Sequence, residues 1–507
     1  MKSFLFVFFS CLFFSFLAIS QNIPVEKLPE YVLPSSETEA HLRFISSDEL
    51  QGRMTGEIGS KVAARYIAEQ FRLFGIQPVK NQATFYQNII FSKKEKGATG
   101  KLIIGTDTLT VGKNVALMGG DNTDIQNVPF VFLNYGWTDE KGYDDYKNTD
   151  VRGKIVVALW GTPDTTGGKN INAQFGASIK KEKMAQKNGA LALVEILSAT
   201  SSFKRMLRFT GGGGMSLKDE TTTKLDKLPH CVVDSSFQQK LRNSDQKTMS
   251  LTTKPATEKL LNSPNVVGVI EGTDAILKKQ YIILSAHYDH LGMIAKDPQK
   301  PDSQDTIYNG ARDNGFGCSA LLLAAKSLSM SPPRRSVIFI AFTGEEVGLL
   351  GSNFYANHPL VPLNECVYAL DTDGAGYNDT TVVTTIGLNR TDCQAEIEKG
   401  AAAFGLKVID DPAPEQNLFD RSDNVSFAAK GIPSPDFGPG LTKFDGEILK
   451  YYHQLGDEVE TVNLRYFHKY CQSFVYAARL IANRDKKPQW RAGDKYEKAY
   501  NLLYEIK

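Results

Sequence analysis

Residues 281–292 read YIILSAHYDHLG. A short, unbroken apolar run rich in β-favouring residues ends at His287, and Asp289 follows two positions later. A run of that length bounded by turn signals reads as a strand buried on both faces, as in parallel sheets. Working outward, the pattern recurs: SVIFIAF (336–342) leads into TGEEVGLLGS, and CVYALD (366–371) leads into TDG. Between the first two runs, NGARDNGFG (309–317) opens an apolar helix expected over 316–328. Upstream, VVGVIEG (266–272) is a further strand. Alternating strands and helices predict an α/β layer architecture with a mostly parallel mixed sheet. In such sheets functional groups gather beyond the carboxyl ends of the strands.

That edge receives the right chemistry. His287 follows one run, Glu345 follows another, and Asp371 ends a third. Imidazole and carboxylate are zinc-ligand types, and hydrolysis needs a proton-handling base beside them. Asp289 is placed to orient His287 by accepting its second ring proton. Asp313, in a glycine-rich loop before the helix, suits either a carboxylate bridging two cations or a helix cap. Glu345 and Glu346 are adjacent and so project differently; one can bind metal while the other moves protons. Of Asp371 and Asp373, Asp371 is the expected ligand because it directly follows the apolar run. His453 lies in KYYHQLGDEVETVN (450–463), with Asp457 available as its partner, while His290 is expected to be a bystander.

The rest of the chain frames this edge. At 507 residues it exceeds a single core, so two or more domains are expected, and a net charge of +1 gives no electrostatic case for nucleic acid. Lys2, a Phe-rich apolar run to Leu17 and the small residues Ala18 and Ser20 read as a secretory signal peptide, implying export to the periplasm or medium and no stable membrane association once it is cleaved. Beyond Cys11, five sparse cysteines do not make a disulfide framework. Residues 100–260 carry short strands and Gly/Thr/Asp-rich loops with no catalytic constellation, and read as an inserted accessory domain.

Taken together, the segments around His287, Asp313, Glu345–Glu346, Asp371 and His453 strongly resemble the zinc-dependent exopeptidase family of secreted bacterial aminopeptidases and glutamate carboxypeptidases. SSDELQGRMTGEIGSKVAARYIAEQF resembles the family's opening helix region, RSDNVSFAAKGIP its late loop and helix, and VRGKIVVALWG with AQKNGALALVEI its inserted protease-associated domain. The resemblance implies a three-layer α/β/α catalytic domain that binds two zinc ions and acts on peptides. Its parts would be a signal peptide (1–20), a first catalytic segment (21–99), a β-rich protease-associated insertion (100–260), a second catalytic segment (261–485) and a C-terminal tail (486–507). It further implies Asp313 as bridging ligand, His287 and Asp371 completing one site, and Glu346 and His453 the other. Glu345 would be general base, Asp289 would orient His287, and Asp313–Asn314 matches a position that is cis in the family. Tyr452 matches a position that steadies the tetrahedral intermediate, and Arg421 and Asp423 match a region near bound substrate.

The sequence departs from the family pattern at Arg312, at HQLGD after Tyr452, at Asn424 and at Thr372–Asp373, which bears on substrate preference. Aminopeptidase action is the leading expectation. Carboxypeptidase or dipeptidase action is the nearest alternative and needs a cation for the substrate carboxylate, for which Arg312 and Arg421 are the candidates. Glutaminyl cyclisation and an inactive receptor-like protein are more distant readings, the latter disfavoured because every ligand position and the base are filled.

Overall fold

The structure, a computed structural model, describes residues 33–506 apart from 96–97, 164–170, 199–202, 211–213, 219–227, 243–247, 255–256 and 296–304. The signal-peptide reading of residues 1–20 lies outside the described residues. No helix among them is long and apolar enough to cross a membrane.

The run that opens the sequence reading is a strand, Tyr281–His287, at the centre of a nine-stranded sheet. It lies parallel to Ser336–Phe342 on one side and to Cys366–Asp371 on the other. Asp436–Pro439 continues the parallel set beside Cys366–Asp371. Towards one margin the strands Glu258–Ile270, Tyr86–Lys94 and Met215–Leu217 pair antiparallel. Beyond Asp436–Pro439 the strand Val382–Ile386 pairs antiparallel and then takes Lys407–Ile409 as a parallel edge, so the unbroken run of four parallel strands lies in the middle, where the site residues emerge.

Period-two alternation explains the layering. Ile282, Leu284 and Ala286, with Val337, Phe339 and Ala341, enter one core, whereas Ile283, Ile338, Ile340 and Phe342 enter another on the opposite face. Over the first face lies Phe316–Met330, a helix extending two residues past the expected end. It is buried nearly all round, and its Gly, Ala, Ser and Cys positions let Ser35–Ile45 and Leu464–Ala482 pack closely. Leu350–Asn357 and Asn424–Ala428 cover the second face through Tyr355 and Phe427. The helix Ile58–Leu73 buries Ala63, Ile67 and Phe71 on one face and leaves Val62 exposed.

A second, eight-stranded sheet is drawn from residues 99–254 and has its own core, including Leu102, Ile155, Val194, Val233 and Leu251. Separate cores are what a chain of this length needs. The division is not clean, because Met215–Leu217, from inside the expected insertion, adds an edge strand to the first sheet through Phe91↔Leu217. The stretch 486–506, expected as a tail, is packed: Trp490 and Tyr500 are buried and Glu497–Leu503 is helical. All five cysteines among the described residues are buried and unpaired, consistent with their role as small apolar side chains.

Candidate metal centre

Five segments converge where the central strands end. His287 is the last residue of its strand and is aligned with Phe342, so the Thr343–Glu346 loop starts level with it. Asp313 arrives on the buried loop 311–315 that precedes the central helix, and its peptide bond to Asn314 is cis.

Asp313 is the hub. Its Oδ1 lies 3.4 Å from His287 Nε2, and its Oδ2 lies 3.2 Å from His453 Nε2. His287 Nε2 is also 3.2 Å from Asp373 Oδ1, so His287, Asp313 and Asp373 form one triad of ligand atoms. On the other side, Glu346 Oε2 is 3.3 Å from His453 Nε2, while Glu346 Oε1 is 2.6 Å from His290 Nδ1. His290, Asp313 and Glu346 form the second triad.

Two expectations need correcting here. Asp371 does not face the centre: its Oδ1 accepts from Ser285 Oγ (2.6 Å) and its Oδ2 from Ser422 Oγ (3.1 Å). Burial, opposed by the Ser285 bond, raises its carboxyl to about 7. Asp371 is still inside the sheet, level with Ser285, and the chain reaches the mouth only two residues later, at Asp373. His290 is no bystander, being fully buried against Glu346 with its Nε2 unpartnered.

Asp289 acts differently from the expectation as well. His287 Nδ1 donates to the backbone carbonyl of Asp289 (3.1 Å), and the Asp289 carboxylate is 4.0 Å away. A carbonyl only accepts, so Nδ1 carries a proton and Nε2 is the nitrogen turned towards the triad. The Asp289 carboxylate instead accepts from Thr55 Oγ1 (2.7 Å) and from the backbone N–H of Glu345 (3.2 Å). It therefore fixes the residue expected as base.

Glu345 is nearly buried beside the first triad, with Oε2 4.0 Å from His287 Nε2. Burial first, then the charges of Glu346 and Asp373, hold its carboxyl well above the usual range despite His287. Glu346 is lowered even against burial and Asp313, because His290 and His453 bond it. Adjacent carboxyls with opposite shifts are the expected signature of divided roles.

Arg312 and Asp457 form the platform beneath the loop. Asp457 accepts from the backbone N–H groups of Arg312 (2.9 Å) and Asp313 (3.2 Å) and from Arg312 Nη1 (2.9 Å). The guanidinium stacks 3.8 Å over Tyr451. Asp457 is thus the anchor of the Asp313 loop and not a partner of His453, and Arg312 is 3 % exposed and outside the cavity. Arg53, wholly buried, pins the same region by donating to Tyr288 O (2.9 Å) and Gly310 O (3.1 Å).

The two triads open into a cavity of about 410 Å³. Tyr452 and Arg421 line it, and Arg421 Nη2 donates to Tyr452 Oη (3.0 Å). Tyr452 stacks on the His453 ring with centroids 4.1 Å apart. Asp423 is not in the lining; it is buried behind, where burial and then the Asp371 charge raise its carboxyl. The donor set, imidazole nitrogens and carboxylate oxygens without thiolate, fits a divalent metal such as zinc. So many buried carboxylates close together also call for cations beyond the three imidazoles.

Comparison with known proteins agrees with this chemistry. Residues 265–478 match peptidase family M28. That match takes in the central strands and the site but less than half of the chain. Among curated proteins, aminopeptidase YwaD of Bacillus subtilis is 26% identical over 267 residues, covering 52% of this chain and 54% of that protein. A probable leucine aminopeptidase 2 of Aspergillus oryzae is 26% identical over 203 residues, covering 34% and 39%. The chain thus spans about half, or less, of the length of these relatives. Of solved structures, an aminopeptidase from Aneurinibacillus sp. strain AM-1 covers 90% of this chain and 95% of its own at 20% identity, with a TM-score of 0.53, which shows a shared fold. The M28 match begins at Asn265 and contains every residue of both triads.

Proposed function

We propose that this protein is an exported, zinc-dependent aminopeptidase that removes residues from the free N-termini of peptides. The observation that carries the reading is Glu345, a buried carboxyl of raised pKa whose amide is fixed by Asp289, set beside two ligand triads at the floor of one cavity. His287, Asp313 and Asp373 would hold one zinc ion, and Asp313, Glu346 and His453 the second, with His290 holding Glu346 from behind. Zinc, when bound, supplies a Lewis acid for the scissile carbonyl and brings the ionisation of water to near neutral pH.

The chain's own groups do the rest. Glu345 accepts a proton during attack and returns it to the leaving amine, a role its raised pKa suits. Tyr452 Oη accepts from Arg421, so its own proton is free to point into the cavity at a developing oxyanion. With Asp373 given to the metal, Asp436 is the lining carboxyl left to meet the ammonium group of a peptide N-terminus. With Arg312 withdrawn beneath the loop, Arg421 is the sole remaining candidate of the two cations a carboxypeptidase would use. Export rests on residues 1–20, and the second sheet is read as the protease-associated insertion.

The test is cleavage of a peptide panel, free or blocked at either end, by the zinc-loaded protein with and without chelator, followed by mass spectrometry. Stepwise loss from free N-termini, abolished by chelation, is expected. Cleavage confined to free C-termini would reassign the activity to carboxypeptidase.

A further inference from the structure

The loop Asn417–Ser422 presents alternate faces. Leu418, Asp420, Arg421 and Ser422 line the cavity, whereas Phe419 turns away from it and is buried. What receives Phe419 is the C-terminal segment. Its ring lies 6.4 Å from Trp490 and 6.1 Å from Tyr496 by centroids, and the Arg390 guanidinium sits 3.9 Å over it. Arg390 is held there by Asp494 in a two-point pair, Nε–Oδ2 at 2.7 Å and Nη2–Oδ1 at 2.9 Å. Beside this clamp, Lys495 Nζ lies 2.9 and 3.0 Å from the two carboxylate oxygens of Asp420, and Tyr496 Oη donates to Asp420 Oδ1 at 3.3 Å.

We propose that residues 490–496 are a specificity element of the cavity. Lys495 and Tyr496 are positioning residues that hold the loop in place and occupy the Asp420 carboxylate, leaving the Arg421 guanidinium as the uncompensated charge at the rim. This deepens the peptidase reading and rests on it. With Lys495 in place, the rim favours a peptide bearing a carboxylate beyond the scissile bond. Without Lys495, Asp420 is free to pair with Arg421 or with a cationic peptide, and the preference inverts.

The segment is anchored independently of Lys495. Trp490 Nε1 donates to Gly431 O (3.0 Å), Trp490 bridges to Thr391, and Arg491 N donates to Arg390 O (2.8 Å). Lys495→Met should therefore fold. The Lys495–Asp420 pair is partly exposed, at 52% and 31%, so its loss should change KM by only roughly 2–5-fold.

The experiment compares Lys495→Met, Lys495→Arg and wild type on two matched peptides, one with Glu and one with Lys after the scissile bond. Lys495→Met should raise KM for the Glu peptide and lower it for the Lys peptide, with kcat within about twofold, because the change is in uniform binding. Lys495→Arg should restore the wild-type order, and adding Asp420→Asn to Lys495→Met should remove the inversion. A change of equal sign on both peptides, or none, overturns the proposal. Hydrogen exchange over 417–422 is read on the same proteins and needs no turnover; faster exchange in Lys495→Met is expected, and unchanged exchange also overturns the proposal. A wild-type protein inert on every peptide but still showing the exchange difference would sink the peptidase reading and the charge preference while leaving the clamp.

Discussion

Replacing Arg312 by Met distinguishes a buried support from a substrate-binding cation. Arg312 is 3 % exposed and Asp457 1 %. Burial pushes the Asp457 carboxyl above its usual range, against the pull of Arg312. A pair in that condition adds little net stability, yet removing one partner strands a charge at a cost of about 3–5 kcal/mol. The lost stacking on Tyr451 is worth up to about 2 kcal/mol more when desolvated, and the two are not additive. Asp457 also accepts the Asp313 N–H, so the same substitution loosens the central carboxylate of both triads. Urea unfolding of Arg312→Met at neutral pH should thus lose about 3–5 kcal/mol, with weaker zinc binding by calorimetry. The loss should shrink at low pH, where Asp457 protonates and no charge is stranded, and an added Asp457→Asn should return part of it. A variant within about 1 kcal/mol of wild type that instead shows a raised KM only for peptides with a free C-terminus would refute the reasoning, since a substrate contact costs binding and spares the fold.

Other outcomes follow from the same geometry. Glu345→Gln should lower kcat by about 10²–10⁴-fold while zinc content, measured by atomic absorption, stays at the wild-type level. Asp373→Asn should lose metal affinity by at least about tenfold whereas Asp371→Asn retains it, because Asp371 serves Ser285 and Ser422; equal losses would return Asp371 to the ligand set. In the second sheet, buried Glu195 meets Lys181 and His230, and His230 also meets Glu182 (3.2 Å). Burial opposes the charge on Glu195, but Lys181 and then His230 lower it to about 2, so its stabilisation is present above its ordinary value of about 4.5 and is lost as pH falls through about 2. His230 is raised despite burial by its bonds to Glu182 and Glu195, so its share is complete below about 6.5 and is lost as pH rises through the raised value. Protection of the Ala192–Ile196 amides, relative to their intrinsic exchange rate at each pH, should therefore fall at alkaline pH in wild type, and His230→Gln should show no such fall.

The parallel core and the strand-end chemistry were legible because they are local. Apolar runs such as YIILSA and SVIFIAF have one stable use, and the residue after each must emerge at the carboxyl edge. His287, Glu345 and Glu346 are read that way, whereas Asp313 and His453 lie in loops and entered the expected ligand set through the family resemblance. Asp373 was missed because the length of an apolar run does not say where the sheet stops. Asp371 lies level with Ser285, still within the ladder, so the side chain two positions later reaches the mouth. His290 was passed over for a related reason: adjacency to an HxD pattern says nothing about the depth at which the turning chain returns towards Glu346.

The supports around the triads were illegible for a different reason, and it follows from their chemistry. Arg53 and Asp457 bind backbone groups, namely Tyr288 O and Gly310 O and the N–H groups of Arg312 and Asp313, while the ring N–H of His287 is held by the main-chain carbonyl of Asp289. Every residue carries such groups, so the partner's side chain leaves no mark in sequence spacing. The ligand loop also carries non-helical backbone at Asp313 and Asn314 just before the central helix, and that segment's amides need buried acceptors to stay in register. Asp457 supplies them from 144 residues downstream, and Arg53 fixes the neighbouring carbonyls from the first segment of the chain. A site that must hold carboxylates close together against their repulsion gains from supports that bind main chain, since these set the position of the ligand without competing for its oxygens.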